Sequence, residues 1–505
     1  MQLFKKGMKF PTAFTILFII TILAIGLTWI VPAGSYAKLT YSAADHEFSI
    51  VNPVGDVSTI LATQESLNEL NVNIEIDKFV DGTIRKAIAI PDTYERLPQS
   101  PKTLMDVAVS MVQGTIDGAD IIVFILVLGG TIGVISRTGA FSAGLMALSH
   151  KTKGREFLFV ALVSVLMGLG GTTCGLEEEA VAFYPILVPI FLALGFDSIV
   201  CVGAIFLAGS MGTAFSTINP FSVVIASNAA GISFTEGLDI RFFGFVVGIT
   251  TVILYLRWYC KKIKADPSFS YTYEDRHSFR ARFIKEEDSS ADLTFTLRRK
   301  IILFLFAMAF PIMIWGVSMG GWWFPEMAAS FLTIAIIIMF ISGLSEKDSV
   351  EAFTQGASEL VGVALIIGIA RGVNLVLEEG MISDTILAYA SGLVSGMHGS
   401  LFIIAQMFVF FFLGLIVPSS SGLAVLAMPI MAPLADTVGI PRDIVVSAYN
   451  WGQYAMLFLA PTGLVLVTLQ MLDISYDKWL KFVFPMVLFL LGFGGLLLVA
   501  QVMML

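Results

Sequence analysis

The sequence predicts an all-α polytopic membrane protein, an inverted repeat with two re-entrant hairpins and two broken transmembrane helices. Three observations lead there. The 505 residues are 56% hydrophobic and 14% charged, whereas a soluble domain carries roughly 25% charged residues, so this surface must meet lipid. Several apolar runs approach the roughly 20 residues of a helical span, and they are continuous rather than alternating as barrel strands are. Finally, a set of landmarks in the first half returns at a near-constant interval in the second.

Residues 1–34 hold the first span. Lys5, Lys6 and Lys9 precede an apolar run from Thr12 to Val31. That run exceeds a signal-peptide core, and Trp29 and Pro32 make a poor cleavage site, so it reads as retained. The lysines place the N-terminus in the cytoplasm. The polar stretch 35–102 follows as an extracytoplasmic loop. Residues 103–257 form repeat 1. Its span from about Gly118 to Ile135 ends on Arg137, His150, Lys151, Lys153 and Arg155. From Phe157 an apolar arm breaks at Gly170-Gly171-Thr172-Thr173-Cys174-Gly175, and a second arm runs from Ala180 to Leu194. Each arm is short for a crossing, so this is hairpin 1, entering and leaving on one side. Ile199 to Phe215 is then interrupted by Ser216-Thr217-Ile218-Asn219-Pro220, a broken helix, because proline removes a backbone donor. Phe242 to Leu256 returns to Arg257, Lys261, Lys262 and Lys264.

Residues 258–300 are a charged cytoplasmic linker. Residues 301–344 carry two scaffold helices, with Trp322, Trp323 and Phe324 between them as an interfacial aromatic belt. Residues 345–505 are repeat 2 with hairpin 2, and the last span leaves the C-terminus outside. Arg442 alone goes against the charge rule.

The repeat is carried by specific residues. Gln113-Gly114 answers to Gln355-Gly356, Gly139 to Gly380, Pro185 and Pro189 to Pro429 and Pro433, Gly195 to Gly439, and Pro220 to Pro461, at separations of 241 to 244 residues. The two copies have opposite orientation by their charges. Inverted repeats with discontinuous helices are a transporter architecture, with the substrate near the midplane where half-helix ends point.

Candidate binding residues follow from that architecture. The second hairpin tip, Val417-Pro418-Ser419-Ser420-Ser421-Gly422, sets Ser419, Ser420 and Ser421 where two apolar arms meet; they bind ligand or simply cap the next helix. The first tip adds Thr172 and Thr173, then Glu177, Glu178 and Glu179. Carboxylates near the membrane interior are costly unless paired, protonated or wetted, and neighbours on a helix point about 100° apart, so not all three face one ligand. The alternative is ordinary first-turn acids at a helix N-terminus. Arg371, inside a span, either holds a substrate carboxylate or pairs with Glu378 or Glu379. At the helix breaks, Ser216, Thr217, Asn219 and Thr462, with Tyr449, Asn450 and Gln453 beyond, either complete a substrate or cation shell or satisfy the interrupted backbone.

The stretches GGTTCGLEEEAVAFYPILVPIFLALGFDS, STINPFSVVIAS, IARGVNLVLEEGMISDTIL and PSSSGLAVLAMPIMAPLADTVGI resemble the YfcC family. That family groups with basic amino acid antiporters of the arginine/ornithine type, under the anaerobic four-carbon dicarboxylate carriers of the ion-transporter superfamily. The resemblance covers nearly the whole chain. It implies a secondary carrier with a scaffold and a mobile transport part, an elevator motion and a homodimer. It also implies a glutamate pair in hairpin 1, matched by Glu178 and Glu179; Glu177 is an extra acid where a small or neutral residue is usual. The Ser-Asn-Thr tips of sodium-coupled dicarboxylate members are not matched by Thr172-Thr173 or Ser419-Ser420-Ser421.

The sequence thus predicts a secondary active transporter of the cytoplasmic membrane for a small charged metabolite. The first expectation is a basic amino acid antiporter, with Glu178 or Glu179 neutralising the cationic side chain. A proton- or sodium-coupled dicarboxylate carrier is the alternative. Cys174, Cys201 and Cys260 share no metal-ligand spacing and are expected as free thiols. No metal, cofactor or nucleic-acid partner is expected, and coupling to protons or sodium stays open. An enzyme is not expected: no His-Glu-x-x-His motif or phosphate-binding Gly-x-x-x-x-Gly-Lys loop occurs, and His46, His150, His277 and His398 all fall outside spans.

Overall fold

The computed structural model describes residues 12–505 apart from 73, 81–83, 85–86, 142, 145–146, 148–154, 178, 277–278, 280–293, 321, 323, 395, 398 and 437. Helix α1 (Ala13–Ile30) opens on Thr12, whose hydroxyl accepts from Thr15 N. Its 18 residues give a length of about 27 Å, close to the hydrocarbon thickness.

The stretch read as a loop is folded. It carries strands β1 (Gly34–Ser35), β2 (Lys38–Ser42), β3 (Glu47–Val51), β4 (Val57–Leu61), β5 (Ile88–Ala89) and β6 (Glu95–Arg96), with short helices α2 (Gln64–Glu69) and α3 (Asp77–Val80). The antiparallel order β4-β3-β2-β5 places Leu39 opposite Ile50 and Phe48 opposite Ile60. Leu39, Phe48, Leu67, Phe79 and Ile88 form a core of their own. Ser35 Oγ and Tyr36 N each donate to Asp384 Oδ2 at 3.0 Å, and Lys38 Nζ lies 2.8 Å from the same oxygen.

The scaffold is a cross-packed pair of pairs. In repeat 1, α4 (Leu104–Asp117) leads into α5 (Ala119–Arg137); in repeat 2, α13 (Glu346–Glu359) leads into α14 (Val361–Glu379). Each short helix packs on the long helix of the other repeat, α4 on α14 and α13 on α5. Glycine makes this approach possible. A Cβ on Gly372 would lie 2.5 Å from the Ser110 carbonyl, and one on Gly129 2.6 Å from that of Gly356. Helix α1 packs on α14, and α11 (Leu297–Gly320) and α12 (Phe324–Ser342) close the α5 side. Trp322 of the expected aromatic belt folds back on α11, its indole 6.2 Å from that of Trp315; Trp323 lies outside the described residues.

Hairpin 1 comprises α6 (Glu156–Cys174), a 3₁₀ turn (Glu179–Phe183) and α7 (Tyr184–Ala193). The first arm does not break at Gly170: it stays helical to Cys174 and ends at Gly175, whose φ of +69° is left-handed. A left-handed glycine is the common helix stop. Phe159 and Phe191 meet at 5.6 Å, closing the open end of the hairpin. The broken helix follows as α8 (Ser198–Ala214) and α9 (Pro220–Ala229), then α10 (Leu238–Ala265). In repeat 2, α15 (Ser383–Val394) precedes hairpin 2, α16 (Gly399–Ile416) and α17 (Ser420–Asp436). The second broken helix is α18 (Arg442–Leu459) and α19 (Gly463–Met471), bent by 42°, and α20 (Tyr476–Met503) ends the chain.

The repeat shows in backbone detail. After α7, Phe196 N bonds Phe191 O across Gly195 (φ +82°); after α17, Ile440 N bonds Ala435 O across Gly439 (φ +72°). This is one Schellman closure used twice. The Gly139–Gly380 pairing is looser. Gly139 has φ +67°, but Gly380 is right-handed, and Met381 takes the left-handed place at +52°. Arg442, the exception to the charge rule, forks onto Asp436 and donates to Ala230 O at 2.7 Å. Among the described residues, seven helices are long and apolar enough to cross a membrane, or eight with the bent pair. The chain is a multi-pass membrane protein.

Candidate functional site

The first helix break is sealed by side chains. The Thr172 hydroxyl donates to Phe215 O at 2.9 Å and accepts from Thr217 N at 3.0 Å, while the Thr217 hydroxyl donates to Thr172 O at 3.1 Å. Asn219 Nδ2 donates to Gly171 O at 2.8 Å, and its Oδ1 accepts from Phe221 N at 2.8 Å, capping α9. The Ser216 hydroxyl donates to Thr213 O and accepts from the Ser222 hydroxyl. Arg241, fully buried, donates from Nε to Ser216 O at 3.1 Å and from Nη2 to Phe234 O. Ser216, Thr217 and Asn219, together with Thr172 from the tip, satisfy the interrupted backbone, as the second of the readings for the helix breaks has it. Thr173 bonds back to Leu169 O at 2.6 Å on its own helix.

The second break is built differently. Its freed carbonyls are taken from outside: Trp479 Nε1 donates to Phe458 O at 2.9 Å, and the Tyr476 hydroxyl to Leu459 O. Trp479 occupies the place in the first turn of α20 that Arg241 occupies in α10. Thr462 is half-buried at the start of α19. On α18, Tyr449, Asn450, Gln453 and Tyr454 are all buried. Tyr449 and Gln453, Asn450 and Gln453, and Asn450 and Tyr454 are three or four residues apart and so adjoin on the helix surface, and the four make one continuous patch.

That patch reaches both hairpin tips. The Tyr449 hydroxyl donates to Ser420 O, the first residue of α17. The Tyr454 hydroxyl donates to Glu177 Oε2 at 3.1 Å. Ser419 caps α17, its hydroxyl accepting from Gly422 N at 3.2 Å; Ser421 follows in the same first turn. The structure therefore gathers Ser419, Ser420, Ser421, Asn450 and Glu177. Glu178 lies outside the described residues, and Glu179 is placed only by its backbone, in the 3₁₀ turn.

Arg371 is not at the tips. Its Nη1 donates to Asp117 O at 2.5 Å at the α4–α5 joint of the scaffold. Of the neighbouring acids, Glu379 pairs with Lys102 at 2.7 Å. Ala370, next to Arg371, does border the second break: a Cβ on Gly463 would lie 3.0 Å from that of Ala370. Sequence reasoning missed Arg241, because the residue sits at the very start of its apolar run, where a charge reads as a span boundary. It also missed Tyr454, which only the Tyr449 spacing could have flagged.

A family model for the C4-dicarboxylate anaerobic carriers matches residues 10–503. The chain belongs to that family. Within the C4-dicarboxylate anaerobic carrier family it is 70% identical to an uncharacterized protein of Haemophilus influenzae over 498 residues, 99% of this chain and 98% of that one. It is 30% identical over 488 residues to "Putative basic amino acid antiporter YfcC" of Escherichia coli, covering 93% and 92% of the two chains. Among solved structures it is similar to MtrF of Neisseria gonorrhoeae, described with a class of antimetabolite efflux pumps (17% identity, 98% and 96% covered, TM-score 0.38). It is also similar to the YdaH transporter of Alcanivorax borkumensis (12% identity, 98% and 99% covered, TM-score 0.37). The chain is a secondary transporter of this carrier family. Its patch on α18 is the one described place where both hairpin tips and a carboxylate converge.

Proposed function

We propose that this carrier exchanges basic amino acids of the arginine/ornithine type across the cytoplasmic membrane. The observation that carries the reading is the Glu177 carboxylate, held 3.1 Å from the Tyr454 hydroxyl on the patch that also reaches Ser420. A carboxylate near the membrane interior is by default a candidate site for a cationic group or a proton, and a guanidinium or ammonium side chain is such a group. The N-terminal end of α17, with Ser419 to Ser421, favours negative charge and suits the substrate carboxylate. The name of the Escherichia coli relative agrees with this reading. In it, both hairpins are re-entrant, the N-terminus is cytoplasmic and the C-terminus outside, residues 35–102 lie outside, and two chains pair through their scaffolds while the tips ride an elevator motion.

The sequence expectation put the acid at Glu178 or Glu179; this reading adds Glu177, whose contact with Tyr454 is described, while Glu178 and the Glu179 side chain lie outside the described residues. Arg371 leaves the site for the scaffold joint. A second reading, a proton- or sodium-coupled dicarboxylate carrier, is favoured by the family description and by the α17 N-terminus. There Glu177 carries the proton.

Uptake of labelled arginine into proteoliposomes preloaded with ornithine tests this. Exchange is expected in the wild-type and is expected to be lost in Glu177→Gln. No arginine exchange, with succinate uptake under a proton or sodium gradient, sinks the first reading in favour of the second.

A further inference from the structure

Asn450 and Gln453 are fully buried, and both polar atoms of each amide lack a partner among the described residues. They are three residues apart on α18 and so lie side by side. Asn450 is one turn before Tyr454, which reaches Glu177; Gln453 is one turn after Tyr449, which reaches Ser420. Gln453 also lines the close contact of α18 with α16, where a Cβ on Gly414 would lie 3.2 Å from its Cγ. Two unpartnered amides at one spot are costly to bury, and no local backbone break accounts for them: both lie within a continuous helix.

The chemistry of the orphaned atoms selects the ligand. Each amide offers an acceptor oxygen and a donor nitrogen. A metal cation or proton would satisfy only the oxygens and leave the NH₂ groups unpaired. A dicarboxylate or other anion would satisfy only the NH₂ groups. A group that presents donors and acceptors together answers both. We infer that Asn450 and Gln453 bind the zwitterionic head of an α-amino acid, its ammonium on the amide oxygens and its carboxylate on the amide nitrogens. The tyrosine pair on the same helix face aligns this head with Glu177, so head and side-chain sites run along one patch of α18. The inference rests on the exchanger reading for the side chain alone; the head group is argued from the amides.

The test is ligand-dependent thermal unfolding of the purified full-length protein in detergent. The probes are ornithine, putrescine (no carboxylate), 5-aminopentanoate (no α-ammonium), L-alanine and succinate. The proteins are wild-type, Asn450→Leu and Gln453→Met. The wild-type is expected to bind ornithine at least tenfold more tightly than either truncated analogue. Each variant is expected to fold with an unliganded midpoint equal to or above wild-type, since a buried unpartnered amide is gone. Each is expected to bind ornithine and putrescine alike. Wild-type binding of L-alanine as tight as that of ornithine supports the head-group site while overturning the basic side-chain reading. Variants that keep ornithine affinity within twofold overturn the inference, because the amides then hold only water. Succinate binding in the wild-type without binding of any amino acid overturns it as well.

Discussion

At residues 215–219 the first helix break is closed by Thr172, Thr217, Asn219 and Arg241, every one committed to backbone. At residues 460–462 the second is closed by Trp479 and Tyr476 from α20, while the side chains one to three turns earlier on α18 are left to face the tips. The two breaks descend from one repeat and share their backbone problem: carbonyls and amides freed inside an apolar medium. What differs is who answers. In repeat 1 the hairpin and break stitch themselves together, leaving Glu177 as the tip group that reaches across. In repeat 2 an outside helix closes the break, and the α18 face turns to the hairpin tips instead. Duplication supplied two joints, and only one carries a bare polar face.

The comparison can be broken by substitution. Arg241→Met should cost most, about 3 kcal/mol, because the Ser216 and Phe234 carbonyls lose a charged donor in a buried place. Trp479→Phe, its positional counterpart, should cost about 1 kcal/mol for one neutral bond; equal losses in detergent unfolding would erase the asymmetry. Asn219→Ala should lose about 2 kcal/mol, a cap plus a buried bond to Gly171, whereas Thr462→Val should leave unfolding unchanged and register, if anywhere, in exchange. Tyr449→Phe should leave stability within about 1 kcal/mol and slow exchange several-fold in proteoliposomes, by releasing the tip at Ser420. Gly195→Ala and Gly439→Ala should each lose about 1 kcal/mol for a left-handed residue. These two should match, since here the repeats are alike.

Those glycines mark what was legible in the sequence. Gly195 and Gly439, and Pro220 and Pro461, recur because backbone geometry demands particular residue types, and such residues announce themselves. That Glu177 meets Tyr454 was not legible. It depends on a left-handed turn at Gly175 followed by 3₁₀ rather than α geometry, which discards the 100° register on which the sequence argument relied. Asn219 reads as a ligand residue from its type and place, yet its amide is spent on Gly171 and Phe221, contacts set only by tertiary packing. The fold of residues 34–96 was hidden because its strands are two to five residues long, too short for a period of two to declare itself.

That small β-rich subdomain is attached to both α15 and α17. Lys38, Ser35 and Tyr36 fix it to Asp384 at the start of α15, and β5 packs on α17, where Val425 enters the same apolar cluster as Phe48, Phe79 and Ile88. A hairpin 2 that shifts relative to α15 must pull Val425 out of that cluster each time. Exposing a buried valine costs about 1.5 kcal/mol, and 1.4 kcal/mol in a barrier is about tenfold in rate. In the elevator reading proposed above, the subdomain therefore slows hairpin 2 through Val425, and a smaller residue at 425 is expected to quicken it.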